Sequence, residues 1–121
     1  MSDHLTLIGR RLPKVDAWPK VTGQARYADD LPFTGLLHGR LLRSHHAHAR
    51  IRRIDASAAE RMPGVVAVIT GQDLPVPYGI LPSSQDEHGL APDKARFVGD
   101  PIAAVAAEAE ETADAALGAI A

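Results

Sequence analysis

The sequence contains no cysteine, only five aromatic residues among 121, and no apolar run long enough to span a bilayer. Without cysteine these residues hold no disulfide, no thiolate nucleophile and no Cys-ligated zinc or iron–sulfur cluster. The same lack suits a reducing cytoplasm, which is where the sequence places the chain. With Trp18, Tyr27, Phe33, Tyr78 and Phe97 as the whole aromatic complement, the core has to come from Val, Ile, Leu and Ala. The longest apolar stretches, VVAVI and IAAVAA, fall far short of the roughly 20 residues of a membrane helix. Residues 1–16 carry no signal-peptide-like run. The phosphate-binding loops G-x-x-x-x-G-K-[ST] and G-x-G-x-x-G are missing, as is a G-x-S-x-G nucleophile elbow.

What is present is an ordinary globular balance, 45% hydrophobic and 23% charged, which excludes wholesale disorder. A chain of this length buries roughly two-thirds of its unfolded surface, enough for one modest core. The net charge of −2 hides a polarity. Residues 1–61 hold 11 of the 13 bases and 6 of the 15 acids, whereas residues 62–121 hold 2 bases and 9 acids. Two oppositely charged solvated faces account for this. Nucleic-acid binding needs a stronger basic patch with stacking aromatics, and neither is present.

Along the chain, residues 1–35 are punctuated by Pro13, Pro19, Pro32, Gly9, Gly23 and Gly35 without sustained periodicity. They read as an extended N-terminal arm with one short strand near 24–28. From residue 36 the pattern becomes regular. Residues 37–43 and 49–55 read as two strands, and the short connection through residues 45–48 predicts that they form an antiparallel hairpin. Ser57 and Glu60 fit a capping box at the start of a short helix, 57–62, that Pro63-Gly64 ends. The unbroken apolar run 65–70 predicts a strand buried on both faces. Residues 71–93 form a long irregular loop, residues 95–98 a short strand, Gly99-Asp100 a turn and residues 102–107 a second buried strand. The last element, residues 110–121, is a helix with acids at its N-terminus and Ala113, Ala116, Leu117 and Ile120 along one face. It has no terminating signal, which suggests a chain cut from a longer one.

Several groups have residue types that could carry chemistry. His45, His46 and His48, with His38 upstream, have a spacing that could hold a metal, but no acid or cysteine lies nearby to complete it. Turn and interface residues are the plainer reading. Ser44 and Ser57 lack a nucleophile elbow, and Ser57 is explained as a cap. Asp29-Asp30 and Glu110-Glu111 have structural explanations as turn and helix-start acids. Arg40, Arg43, Arg50, Arg52 and Arg53 alternate along the two strands as a solvated or partner-facing edge. No catalytic, cofactor-binding or metal-binding residue is assigned.

Four segments, in order, resemble one family. They are Lys20-Val21-Thr22-Gly23-Gln24-Ala25-Arg26-Tyr27-Ala28-Asp29-Asp30 with the preceding Ile8-Gly9 and Pro13-Lys14-Val15-Asp16; Leu37-His38-Gly39-Arg40-Leu41-Leu42-Arg43-Ser44 with His46-Ala47-His48-Ala49-Arg50-Ile51 and Ile54-Asp55; Pro63-Gly64-Val65-Val66-Ala67-Val68-Ile69-Thr70-Gly71; and Val98-Gly99-Asp100-Pro101-Ile102-Ala103-Ala104-Val105-Ala106. Together they resemble the N-terminal a/b hammerhead domain of the molybdopterin-binding large subunit in the xanthine dehydrogenase and aldehyde oxidase family. Within it, residues 75–82 and the Gly99-Asp100-Pro101 turn look most like 4-hydroxybenzoyl-CoA reductase. The family usually has Ser-Pro-His-Ala-His where this chain has Ser44-His45-His46-Ala47-His48, a departure that loosens the turn.

The resemblance implies an α+β fold: a small mixed sheet with two helices packed on one face, after an arm over residues 1–35, the hammerhead-like domain covering 36–121. It implies a non-catalytic scaffold and interface domain of a molybdenum-containing oxidoreductase, inactive by itself. The catalytic glutamate and the molybdenum pocket lie downstream of this domain in the family. Its cofactors, molybdopterin cytosine dinucleotide or a related molybdenum cofactor, iron–sulfur clusters and FAD, belong elsewhere in the complex. The implied partners are the remaining molybdopterin domains and the iron–sulfur and flavin subunits, with no nucleic acid and no membrane. Exposing about 300 Å² of apolar arm and loop costs roughly 7 kcal/mol, so a homodimer or a disordered arm is expected in isolation. An autonomous interaction module without enzymatic activity is the alternative.

Overall fold

The computed structural model describes residues 7–121; the first six residues of the predicted arm lie outside the described residues. The chain divides into two units, Met1–Thr34 and Gly35–Ala121.

In the first unit the arm is not wholly extended. Helix α1, Ala17–Val21, carries Pro19 in its first turn, where no amide is needed for the helical ladder. Thr22 Oγ1 donates to the Trp18 carbonyl at 2.8 Å. The strand expected near 24–28 does not form among the described residues. The Asp30 carboxylate accepts the Tyr27 amide at 3.0 Å, closing a 3₁₀ turn over Ala28–Asp30 instead. Val15, Trp18, Val21 and Phe33 remain exposed.

The second unit is α+β, as expected. It runs β1 His38–Arg43, β2 Ala49–Arg50, α2 Ser57–Glu60, β3 Val65–Thr70, β4 Lys94–Ala95, β5 Pro101–Ala107 and α3 Glu110–Gly118. The single mixed sheet of the expectation is resolved into two sheets: a three-stranded one in the order β1-β5-β3 and a two-stranded one, β2-β4, with every pair antiparallel. Helices α2 and α3 pack together, α3 against β1, β5 and β3 and α2 against β3. Among the described residues no helix is long and apolar enough to cross a membrane.

The predicted hairpin between residues 37–43 and 49–55 does not form. Ser44, just past β1, donates its amide to the Asp100 carbonyl at 2.9 Å and accepts the Gly99 amide at 2.8 Å. This ties the end of β1 to the turn from which β5 starts, so β1 pairs with β5. The Ser44 hydroxyl accepts the His46 amide at 3.0 Å and donates to the His46 carbonyl at 2.9 Å, turning the chain toward β4. Only Ala49–Arg50 of the expected second strand is laddered.

Strand β5 is central and β3 is an edge strand, which corrects the expectation of two fully buried strands. In β3 the apolar run alternates imperfectly across a bulge near Val66, leaving Val66 and Ile69 exposed. An apolar run shows what a strand can bury, not how many neighbours it has. β5 begins with Pro101, tolerated at a first strand position, and then buries Ala103, Val105 and Ala107 under the helices. Ala59, Ala113 and Ala116 meet them. Small side chains on both sides let α3 lie close, and Val105 is the one large side chain fully enclosed among the described residues.

Three further boundaries differ. Ala56, not Ser57, is the N-cap of α2, and Asp55 just before it holds the helix start: its Oδ1 accepts the Ser57 amide at 3.1 Å and the Ser57 hydroxyl at 2.7 Å, so no Ser57–Glu60 capping box forms. The expected strand 95–98 shrinks to Lys94–Ala95, because the Asp100 carboxylate takes the Arg96 amide at 2.8 Å and curls residues 96–100 into a turn. Helix α3 stops at Gly118. Within the long loop, Tyr78 bridges Glu87 and Leu81 bridges Ser84, so part of it folds back as a narrow ribbon.

Candidate interaction faces

The ladder register sorts the three-stranded sheet into rows, since residues directly opposite share a face. Arg40, Val105 and Val68 form one row, and His38, Ala107 and Val65 another, on the helix-covered side. Leu41, Ala104 and Ile69 form a row on the opposite side, beside Gly39, Ala106 and Ala67. These two rows carry no charge, and the second unit lays no helix over them. Leu41 is 41% exposed and Ile69 38%. Gly39 and Leu41 thus face away from the helices, and His38, Arg40 and Leu42 face them.

Arg40 reaches across that helix side. Its Nε donates to Asp114 Oδ1 at 2.7 Å and its Nη2 pairs with Glu110. The hydrogen bond to Asp114, with the attraction of both carboxylates, raises the guanidinium pKa above its ordinary value. Arg40 is therefore not a free edge arginine, and Glu110 serves more than the helix dipole. The spacing of Glu110 and Asp114, one helical turn apart, is the signal of this pairing available in the sequence.

The turn that seats β5 is a second organised region. Ser44 and Asp100 are its two buried polar residues, and Arg43 Nη1 donates to the Gly99 carbonyl at 2.9 Å. With its hydroxyl engaged at the His46 backbone, Ser44 has no imidazole base at the oxygen and is not poised as a nucleophile. Phe97 and Val98 project from this turn into solvent. Beside it lies a cleft of about 360 Å³, lined by Tyr78, Asp86, His88, Arg96, Phe97 and Asp100 among others. His88 Nδ1 is buried there without a partner among the described residues; no sequence pattern singles it out. A hydrogen bond from the Ser84 hydroxyl pulls the Asp86 pKa down and keeps that carboxylate charged.

His45, His46 and His48 are exposed on the connection after β1, while His38 opens β1 on the helix side. Among the described residues no three of His, Asp and Glu come together as a metal site. Asp29 and Asp30 are exposed in the first unit's turn. Arg50, Arg52 and Arg53 stay exposed, with Arg53 paired to Asp55. The residues present do not fit a dinucleotide molybdenum cofactor. The cleft beside the turn sets Asp86, Glu87 and Asp100 against the single Arg96, a net negative lining that disfavours a pyrophosphate, and the start of α3 is already occupied by its own acids, Glu110 and Glu111. No catalytic step is assigned to these side chains.

Residues 22–121 match the family model described as "Aldehyde oxidase and xanthine dehydrogenase, a/b hammerhead domain". The chain is 48% identical over 104 residues to a probable xanthine dehydrogenase subunit of Bacillus subtilis, covering 84% of this chain and 14% of that protein. It is 41% identical over 118 residues to the probable hypoxanthine oxidase XdhD of Escherichia coli, covering 92% and 12%. Among solved structures, the reconstituted CO dehydrogenase from Oligotropha carboxidovorans superimposes with a TM-score of 0.83 at 34% identity, over 93% of this chain and 14% of that one. The chain therefore spans only 12–14% of the length of these relatives. On the match over residues 22–121 and these identities, the chain belongs to the a/b hammerhead family of aldehyde oxidase and xanthine dehydrogenase.

Proposed function

We propose that this chain is the hammerhead region of a molybdenum-containing oxidoreductase large subunit, acting as non-catalytic scaffold and interface. The observation that carries the reading is the uncharged row Leu41, Ala104 and Ile69 on the helix-free side of the sheet. Surface of that kind is stabilised by burial against a partner. The remaining molybdopterin domains of the subunit are its partner, and residues 1–35 and the 71–93 loop add further contacts to the rest of the enzyme. Iron–sulfur and flavin components complete the enzyme, in a cytoplasmic complex. Molybdopterin cytosine dinucleotide, or a related cofactor, supplies the redox chemistry from the other domains.

The narrower reading within the family is a 4-hydroxybenzoyl-CoA reductase-like enzyme, on the likeness of residues 75–82 and the Gly99-Asp100-Pro101 turn. Assaying the whole enzyme with 4-hydroxybenzoyl-CoA and with a purine separates that branch from the hydroxylases.

The scaffold reading is tested in the complete large subunit with Leu41→Lys. We expect a hammerhead region that still folds, since its helix-side core is untouched, but a subunit that loses molybdenum and becomes protease-sensitive. Full molybdenum content and unchanged proteolysis would overturn it. Residues 1–121 alone should reduce no redox dye.

A further inference from the structure

We infer that the cleft between the ribbon of residues 78–88 and the Phe97–Asp100 turn is a docking pocket for an arginine side chain of a partner polypeptide. Its two walls are built independently. On the first, Tyr78 and Glu87 exchange both backbone hydrogen bonds, at 2.8 and 3.0 Å, so they stand directly opposite and share one face of the ribbon. Gly79 lets the ribbon close this tightly, since a Cβ there would collide with the Ser84 carbonyl oxygen. On the second, the Ser44 backbone and the Arg43 guanidinium hold the turn, and the Asp100 amide donates to the Phe97 carbonyl at 3.2 Å. Tyr78 and Phe97, 54% and 56% exposed, are therefore carried on backbone that needs little further ordering to bind.

The groups around this space of about 360 Å³ specify the occupant. Asp86, Glu87 and Asp100 are set against one base, Arg96, and among the described residues none of Asp86, Glu87 and Arg96 forms an ion pair. Arg96 instead gives an N–H to the Lys94 carbonyl at 3.3 Å. Asp86 accepts from the Ser84 hydroxyl at 2.6 Å, which lowers its pKa and keeps it ionised. His88 Nδ1 is buried without a partner among the described residues; with the ring proton on Nε2 it is one more acceptor lacking a donor. The cleft thus calls for a positively charged group that only donates. A metal ion does not fit, because no three of His, Asp and Glu converge among the described residues. A lysine ammonium, a compact point charge, suits carboxylates that converge, and these are spread. A guanidinium offers five N–H donors in a planar fork and a face that stacks on aromatic rings, matching spread carboxylates flanked by Tyr78 and Phe97. The pocket is independent of the enzyme the chain serves, so either proposal can fail alone.

The test titrates the chain with acetyl-Gly-Arg-Gly-amide and follows the chemical shifts of the Tyr78 and Phe97 rings and the His88 imidazole. We expect saturable shifts confined to the cleft and binding about tenfold weaker for the lysine peptide. The citrulline peptide, which keeps the shape without the charge, should not bind. Glu87→Gln should weaken the arginine peptide by about fivefold or more, whereas Glu111→Gln, the same charge change on α3, should leave it unaltered. Phe97→Ala, at an exposed position, should also weaken it by about fivefold. Equal binding of the arginine and lysine peptides, binding of the citrulline peptide, shifts that never saturate, or equal losses in the two Glu→Gln variants would overturn the pocket. So would cleft shifts that appear on concentrating the chain alone, which would put an arginine of a second copy there.

Discussion

Arg40 in β1 and Asp114 in α3, 74 residues apart, are joined by an Nε–Oδ1 hydrogen bond of 2.7 Å, with Glu110 on the same guanidinium. The pair fastens the helix to an outer strand of the sheet, and it draws one base from the basic half of the chain onto two acids of the acidic half. Some of the charge polarity visible in the sequence is therefore internal pairing.

The fork is partly exposed, so its contribution is small and screened. Arg40→Gln should lower Tm by a few degrees at most, and the loss should shrink in molar salt, where the Debye length is about 3 Å. Arg40→Glu should cost distinctly more, because it sets a third carboxylate beside Glu110 and Asp114. Thermal melts of both variants at low and high salt check this.

Asp55 should make the fold acid-sensitive. Its carboxylate is held below the ordinary value by the Ser57 hydroxyl and amide and by Arg53. A depressed folded pKa contributes stability that is present above the unfolded value of about 3.9 and is lost as pH falls through the folded value. Asp73, held down by the Thr70 amide and hydroxyl, acts in the same direction. Melting temperature should be level near neutrality and fall below about pH 4. Asp55→Asn should flatten the acid limb and lower the neutral plateau.

Two glycines should respond oppositely to alanine. A Cβ on Gly71 would lie 2.5 Å from the Ala91 carbonyl oxygen, a backbone atom that cannot step aside alone. Gly71→Ala should therefore destabilise by more than about 1 kcal/mol. Gly118 is helical, and an added methyl group there would meet nothing within 4 Å. Gly118→Ala should stabilise by up to about 1 kcal/mol through helix propensity. Paired denaturant titrations measure both.

The core should tolerate neither loss nor gain of volume. Val105→Ala empties an enclosed site beneath the helices and should cost about 2 kcal/mol. Ala116→Leu drives a larger side chain into the close contact of α3 with β5 and should cost about 1–3 kcal/mol. Urea midpoints at constant slope distinguish these losses from a change in the unfolded state.

Much of the fold is legible in the sequence because local patterns mark local structure. The β-branched run of β3, the Pro101 start of β5 and the acidic first turn of α3 are all evident in the residues themselves. The partners of the strands are not. Nearness in sequence favours a hairpin, but the backbone of Ser44 bonds to residues 99 and 100 and draws β1 to β5. The cap differs for a similar reason: Ser57 is a good capping type, yet its hydroxyl donates to Asp55 instead of accepting from the helix.

By itself the sequence determined that cysteine chemistry is absent, that the core is built of small aliphatic residues, and that its motifs follow the hammerhead pattern. These are properties of composition and order, independent of where the chain goes. The tertiary structure alone decided that Leu41 and Ile69 share a helix-free face, that Arg40 is paired, and that β1 pairs with β5 and not with residues 49–55. Each depends on register between distant segments, and a one-residue change of register turns every side chain of a strand to the other face.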